Sequence, residues 1–284
     1  MDSHADRLED GGWIDIQYRD KIDTAMVTTT IAPIRAFKDN YIWCLRRGNN
    51  AAVVDPGDAG PVFDHLRAEG LQLTAILNTH HHADHVGGNA DLLSKYNVPV
   101  FGPAHESIPG VTRKLSEGDE IEVPGIGVRL RVLDIPGHTS GHIAFYGDGV
   151  LFCGDTLFSC GCGRLFEGTP AQMHASLSKL AGLHPEILVY CGHEYTLANL
   201  HFADAAEPGN SALAERRIAA WAALDRGKPT LPSTIAVERA TNPFLRVNET
   251  ALVNSASHFA GRTLTNAVEV FAALRKWKDG FQKR

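Results

Sequence analysis

Four histidines and an aspartate stand within six positions, His80-His81-His82-Ala83-Asp84-His85, in the stretch AILNTHHHADHVGG that opens on a short apolar run. Imidazoles at this density are weak helix formers and awkward to bury, so they make a poor core. Ligation is the chemistry they offer, because imidazole nitrogens and carboxylates are donors for zinc, iron or manganese. In an extended segment His80 and His82 share one face, since side chains alternate with a period of two. Asp84 and His85 follow where the chain turns and approach from another side. Two clusters, one displaced from the other, are what two adjacent metal ions need. Gly87-Gly88 then permits tight backbone geometry before the next helix.

Three further segments repeat the pattern of a donor just after a short apolar strand: PGHTSGH at 136–142, CGDT at 153–156 and CGHE at 191–194. Loops at strand ends commonly carry ligands on a rigid scaffold. A solvent-exposed polar loop is the plainer alternative for the first cluster, and these three segments argue against it. His81 lies between two candidate ligands and should point away from them. His142 is open between a role orienting a ligand and none. His4, His65, His105, His174, His184, His201 and His258 have no ligand-like setting.

The elements that must position these donors alternate between strand and helix. Short β-rich runs fill 28–54, and Pro61 to Glu69 reads as a helix stopped by Gly70. Leu73 to Leu77 is a buried strand that delivers the histidine cluster. Asn89 to Tyr96 is helical, Val98 to Phe101 a strand, and 120–152 a second β-rich region. Pro170 to Leu180 is helical, and Ile187 to Tyr190 is a strand that leads into Cys191-Gly192-His193. After Tyr195 alanine-rich periodic stretches, Ser211 to Asp225 and Thr265 to Lys278, predict a helical second part. This alternation predicts helices layered on sheet, an α/β class, and leaves the strand order undecided.

Composition narrows the function. The chain has 284 residues, 44% hydrophobic and 21% charged, as expected of an ordinary globular enzyme. No apolar run approaches the roughly 20 residues that span a bilayer, and no basic stripe marks a nucleic-acid binder. Residues 1–25 are acidic, resemble neither a secretory signal nor a transit peptide, and are expected to be a disordered extension. Five cysteines, an odd number, predict free thiols in a reducing cytoplasm. Cys160-Gly161-Cys162 reads as a tight turn with small buried thiols. Charge is uneven: residues 195–284 hold 12 Lys and Arg against 8 Asp and Glu, a net +4 in a chain of net −6. The acidic first part suits cations and the basic tail a small anion.

Taken together, HHHADH, PGHTSGH, GDTLF and CGHEYT resemble the metallo-β-lactamase fold superfamily, and within it the hydroxyacylglutathione hydrolases, or glyoxalase II, from about Met26 to the end. The histidine cluster specifies only the superfamily. GCGRLFEGT, CGHEYT, EPGN at 207–210 and NPFLR at 242–246 are the more specific segments. The resemblance implies an αββα sandwich over 26–194 with two metals at one edge, then a C-terminal helical substrate domain over 195–284. It implies His80, His82 and His138 on one ion, Asp84, His85 and His193 on the other, and Asp155 between them. It further implies glutathione contacts from Arg164, Tyr195, Arg275 and Lys278. Some members have lysine at Arg164 and an aromatic hydroxyl at Phe166, which here cannot donate a hydrogen bond.

The reading is a cytoplasmic, monomeric hydrolase of S-2-hydroxyacylglutathiones such as S-D-lactoylglutathione. Its cofactors are two divalent ions, zinc first, with iron or manganese as alternatives, and its partner is a small glutathione thioester. Asp84, His85 and Asp155 are the expected catalytic residues, holding the ions and orienting the nucleophile. A persulfide dioxygenase of the same fold and a non-catalytic metal or glutathione sensor are the rivals. The long helical tail with NPFLR argues against the first, and the full set of seven ligands against the second.

Overall fold

A computed structural model describes residues 28–281 and the backbone of 14–16. One sheet has the order β1 (Ile14–Ile16), β2 (Thr29–Ala36), β3 (Asn40–Arg47), β4 (Asn50–Val54), β5 (Gln72–Leu77), β6 (Val100–Pro103), β7 (Arg113–Leu115). Its first four strands pair antiparallel and β4 to β7 pair parallel. Parallel neighbours need crossovers, and these are α1 (Ala59–Glu69) between β4 and β5, and α2 (Ala83–Val86) with α3 (Asn89–Lys95) between β5 and β6.

Alternation decides which residues face which layer. On β3, Tyr41, Trp43 and Leu45 enter the large core between the sheets, while Ile42 and Cys44 face α1 and α3. On β5 the register against β4 slips at Thr74, so Leu73 faces the helices whereas Ala75 and Leu77 face the large core. Such a bulge moves side chains across the sheet without breaking the strand.

The second sheet holds β8 (Glu120–Glu122), β9 (Arg129–Asp134), β10 (Ile143–Gly147) and β11 (Val150–Gly154). A short hairpin, β12 (Leu157–Phe158) and β13 (Gly161–Cys162), follows β11 and contains the two cysteines of the C-x-C. All five cysteines are free and buried. After α4 (Pro170–Ala181), capped by Thr169 and Gln172, the chain adds β14 (Leu188–Cys191) parallel to β11. Helices on one face of each sheet complete the αββα arrangement.

The remainder comprises α5 (Thr196–Ala206), α6 (Ser211–Leu224), α7 (Ile235–Thr241), α8 (Thr250–Ala260) and α9 (Ala267–Asp279). The second part is helical as expected, and it also contributes one short strand. β15 (Ser233–Thr234) returns to the second sheet and pairs with β14. Phe202, Phe244, Leu252 and Phe271 belong to the same core as the sheets, while Leu200, Ala203, Leu213 and Ala220 form a smaller cluster with Cys160. At the other end, β1 pairs with β2 within the stretch expected to be a disordered extension. The rest of that stretch lies outside the described residues.

Two specific segments, EPGN and NPFLR, turn out to be fastenings. Arg246 donates to both oxygens of the buried Glu207 carboxylate, at 2.9 and 2.7 Å. Asn210 adds a third bond to Glu207 and caps α6. Asn242 donates to the carbonyls of Phe158 and Gly161, at 3.0 and 2.8 Å, tying the hairpin to α7. The fully buried Glu238 accepts from Cys160 N and Ser233 Oγ beside it; burial raises its carboxyl above the ordinary range, although these bonds pull the other way. Arg246→Ala leaves the Glu207 carboxylate buried and unpaired, so it should lower unfolding stability by about 3 kcal/mol in urea denaturation.

Candidate metal centre and cleft

Four strand ends deliver the donors to one place. β5 runs into the loop bearing His80 and His82, with Asp84 and His85 on α2; His138 follows β9, Asp155 follows β11, and His193 follows β14. Their convergence requires very close backbone packing. A Cβ on Gly57 would stand 1.9 Å from the Asp84 carbonyl oxygen, and one on Gly163 1.9 Å from that of Asp155. Only glycine fits at either position.

Ligand atoms of His80, His82 and His138 lie within 4.8 Å of one another, and so do those of Asp84, His85 and His193. Asp155 stands between the groups. Its Oδ2 is 3.5 Å from His138 Nε2 and 3.3 Å from His193 Nε2, and its Oδ1 is 3.4 Å from His85 Nε2. Donors about 2.0–2.1 Å from one tetrahedral ion are separated by about 3.4 Å. Three atoms facing the centre, His80 Nε2, His85 Nε2 and Asp155 Oδ1, are buried without a hydrogen-bond partner. Each such atom costs about 1–3 kcal/mol unless something satisfies it. The donor set therefore fits divalent transition-metal ions.

The nitrogen of each ring that faces away is also engaged. Nδ1 of His80 is 3.1 Å from Thr79 Oγ1, that of His85 3.2 Å from Asp55 Oδ2, that of His138 2.9 Å from the Arg164 carbonyl, and that of His193 2.9 Å from Asp39 Oδ1. These contacts orient the rings so that Nε2 faces inward. His82 differs, presenting Nδ1, 3.0 Å from His138 Nε2.

Electrostatics hold His80, His138 and Asp155 in the forms that bind metal. Burial, reinforced by neighbouring imidazoles, holds His80 well below the usual histidine range, and burial lowers His138 despite the Asp155 carboxylate. Neutral imidazole is the form that binds a metal. Burial works to raise Asp155, but His85 and His193 outweigh it and keep the carboxylate ionised. Burial opposes the charged form of His85 and His193 too; there the Asp155 carboxylate prevails and raises both.

Beside these donors opens a cleft of about 810 Å³. His82, Asp84, His138, Asp155 and His193 line it together with Arg164, Tyr195, Arg275 and Lys278. All four residues expected to contact glutathione thus share the cleft with the metal-facing residues. Tyr195 stacks on His193, with ring centroids 4.7 Å apart and planes 4° off parallel. Phe166 is exposed at the cleft and stands edge-on to His82 and His138, at 5.5 and 5.2 Å. Arg275 is buried, and two of its nitrogens are committed, to the Cys162 carbonyl at 2.8 Å and to Asp279 at 2.9 Å. Its Nε has no partner. Lys278 donates to the Ala198 carbonyl at 2.9 Å.

Comparison with known proteins decides the family. The metallo-beta-lactamase superfamily model matches residues 37–193, and the model of the hydroxyacylglutathione hydrolase C-terminus matches residues 194–281. A hydroxyacylglutathione hydrolase of Alkalilimnicola ehrlichii is 60% identical over 253 residues, covering 88% of this chain and 99% of the relative. That of Nitrosomonas eutropha is 54% identical over 252 residues, covering 89% and 99%. The chain belongs to the hydroxyacylglutathione hydrolases. Among solved structures, TTHA1623 in a di-iron-bound form aligns with a TM-score of 0.53 at 28% identity, covering 75% of this chain and 99% of that one.

In this hydrolase Asp55, Asn40 and Glu106, around the metal-facing groups, were not singled out from the sequence. Asp55 reads only as the end of a β-rich run, and it follows the buried β4 as Asp155 follows β11. It accepts from Thr79 N and Oγ1, at 2.8 and 2.7 Å, and from His85. Asn40 reaches Asp84 Oδ2 at 3.0 Å. Glu106 binds Thr139 Oγ1, Gly141 N and His81 Nδ1 and so joins three loops. His81 points away from the centre, towards Glu106 and Glu167. His142 stacks on His80 at 4.5 Å, and its Nε2 accepts from Asp155 N. Because Asp155 faces both groups whereas His81 faces neither, Asp155→Ala should lose more metal affinity than the roughly 10–100-fold typical of removing a ligand's supporting partner. His81→Ala should retain most of the bound metal, as elemental analysis after dialysis against a chelator would show.

Proposed function

We propose that this hydrolase cleaves S-2-hydroxyacylglutathiones, S-D-lactoylglutathione foremost, to glutathione and a 2-hydroxy acid, acting in the cytoplasm in the second step of methylglyoxal detoxification. The observation that carries the reading is the shared cleft, lined both by metal-facing donors and by Arg164, Tyr195, Arg275 and Lys278. His80, His82 and His138 would hold one divalent ion and Asp84, His85 and His193 a second, with Asp155 common to both. Zinc suits the donors, and iron suits them as well, consistent with the di-iron form of the related structure. Such a pair lowers the pKa of a bound water and polarises a carbonyl.

The chain's own residues supply position and charge. Glutathione carries two carboxylates, and the cations at Arg164 and Lys278 offer them charge-assisted bonds. Arg275 has a divided task, since it also ties α9 to the hairpin carbonyl. Tyr195, stacked on His193, offers its hydroxyl beside the metal-facing group. The leaving thiolate has a pKa near ~8.5 and needs no dedicated acid, which accords with Asp84 and Asp155 being the carboxylates that line the cleft. Phe166 presents an apolar edge where other members offer a hydroxyl.

Turnover of S-D-lactoylglutathione with release of free thiol, together with metal analysis approaching two ions per chain, tests the reading. Thiol release without turnover of the lactoyl ester, or a maximum of one ion after reconstitution, would overturn the corresponding part. Lys278→Met should lower kcat/KM by about 1–3 kcal/mol, chiefly through KM, while leaving metal content unchanged. Arg275→Ala should raise KM and also lower thermal stability.

Lys278 adds a dependence on pH. Burial, then the Arg275 charge, lowers its ammonium to about 8. It is cationic below that value and neutral above it, so KM for the anionic thioester should rise between pH 7 and 9. That part of the rise should be absent in Lys278→Met, as parallel KM profiles would show.

A further inference from the structure

We propose that Asp39, on the turn after β2, and Asn40, the first residue of β3, are positioning residues for the second ligand group alone, on the two-ion reading given above. Asp39 Oδ1 accepts from His193 Nδ1 at 2.9 Å and leaves Nε2 facing the centre. Asn40 Nδ2 donates to Asp84 Oδ2 at 3.0 Å and to the Asp84 carbonyl at 3.3 Å, so one amide sets both the rotation of the carboxylate and the backbone that carries it. The same Oδ2 lies 3.5 Å from His193 Nε2. Two of the three ligands in this group therefore depend on consecutive residues.

The turn is itself fixed against the ligand segment. Tyr41 N donates to the Gly192 carbonyl and Glu194 N to the Asp39 carbonyl, each at 2.8 Å, which brackets His193 between two backbone bonds. Asn40 is buried and pairs with His193 as an isolated bridge. With the backbone held in this way, removing the Asp39 carboxylate frees the imidazole while the turn stays in place. The first group is supported by other residues, Thr79 behind His80 and the Arg164 carbonyl behind His138. His85, the third member of the second group, rests on Asp55. Loss of Asp39 or Asn40 should accordingly weaken the second position without abolishing it.

The test is zinc titration of the full chain, stripped of metal, in competition with a chromophoric chelator. The parent should show two binding events. Asp39→Ala and Asn40→Ala should each leave one event unchanged and weaken the other roughly 10–100-fold. Asp39→Asn, which keeps an acceptor oxygen, should fall between parent and Asp39→Ala, and it keeps the test valid if the alanine variant fails to fold. Double variants identify the position: Asp39→Ala adds little to Asp84→Ala, but combined with His82→Ala it impairs both events. Equal weakening of both events, or no change in either, overturns the positioning role while the two-ion reading stands. A single event in the parent overturns that reading and the proposal with it.

Discussion

A buried imidazole has two nitrogens and can give only one to the centre of a site. The other must be satisfied by protein, or the ring is free to rotate and to exchange tautomers. At this centre the outward nitrogens of His80, His85, His138 and His193 meet a threonine hydroxyl, two carboxylates and a backbone carbonyl. These partners come from the end of β4, the turn after β2, the start of the histidine loop and the loop after β13. The two sheets must therefore meet along one edge with little tolerance. The dense core of Trp43, Phe145, Phe152 and Tyr190 between them makes that edge rigid.

The same requirement extends outward through polar nodes that touch no donor. Glu238 and Asn242 grip the hairpin that leads to Arg164, and Arg275 binds the carbonyl of Cys162 at its far strand. Glu194, next to His193, accepts from Tyr41 Oη and from Thr230 N and Oγ1, joining the first sheet to the loop before β15. Each node replaces water around a buried charge with several short bonds, which is how a carboxylate is tolerated in an interior. The second half of the chain is thus a wall of the site that also shares its core.

The histidines and aspartates that converge were conspicuous in the sequence because each stands directly after an apolar strand, whereas their division into two groups came from the family resemblance. The helices were legible where the periodicity ran on, as from Pro170 to Leu180 for α4 and from Thr265 to Lys278 for α9. Asp39, Asn40, Asp55 and Glu106 were not, because each acts through a partner distant in sequence and has an ordinary local context. EPGN and NPFLR could be recognised from family resemblance, but their task could not, since a bidentate Glu207–Arg246 pair exists only once α5 and the segment after α7 are packed together. β15 was missed for the same reason: two residues have no periodicity, and their strand geometry is imposed by the edge of β14.

His138 Nδ1 donates to the carbonyl of Arg164, the residue whose side chain reaches into the cleft. One peptide unit thus joins a metal-facing ring to the lining of the cleft, and Tyr195, stacked on His193, repeats the arrangement. The cleft wall at Arg164 and the ring of His138 therefore have no independent adjustment. A loop redrawn to admit a different thiol carrier would also shift the acceptor behind a ligand ring, so diversification at residues 160–167 is constrained to sequences that preserve a backbone path, however freely their side chains vary.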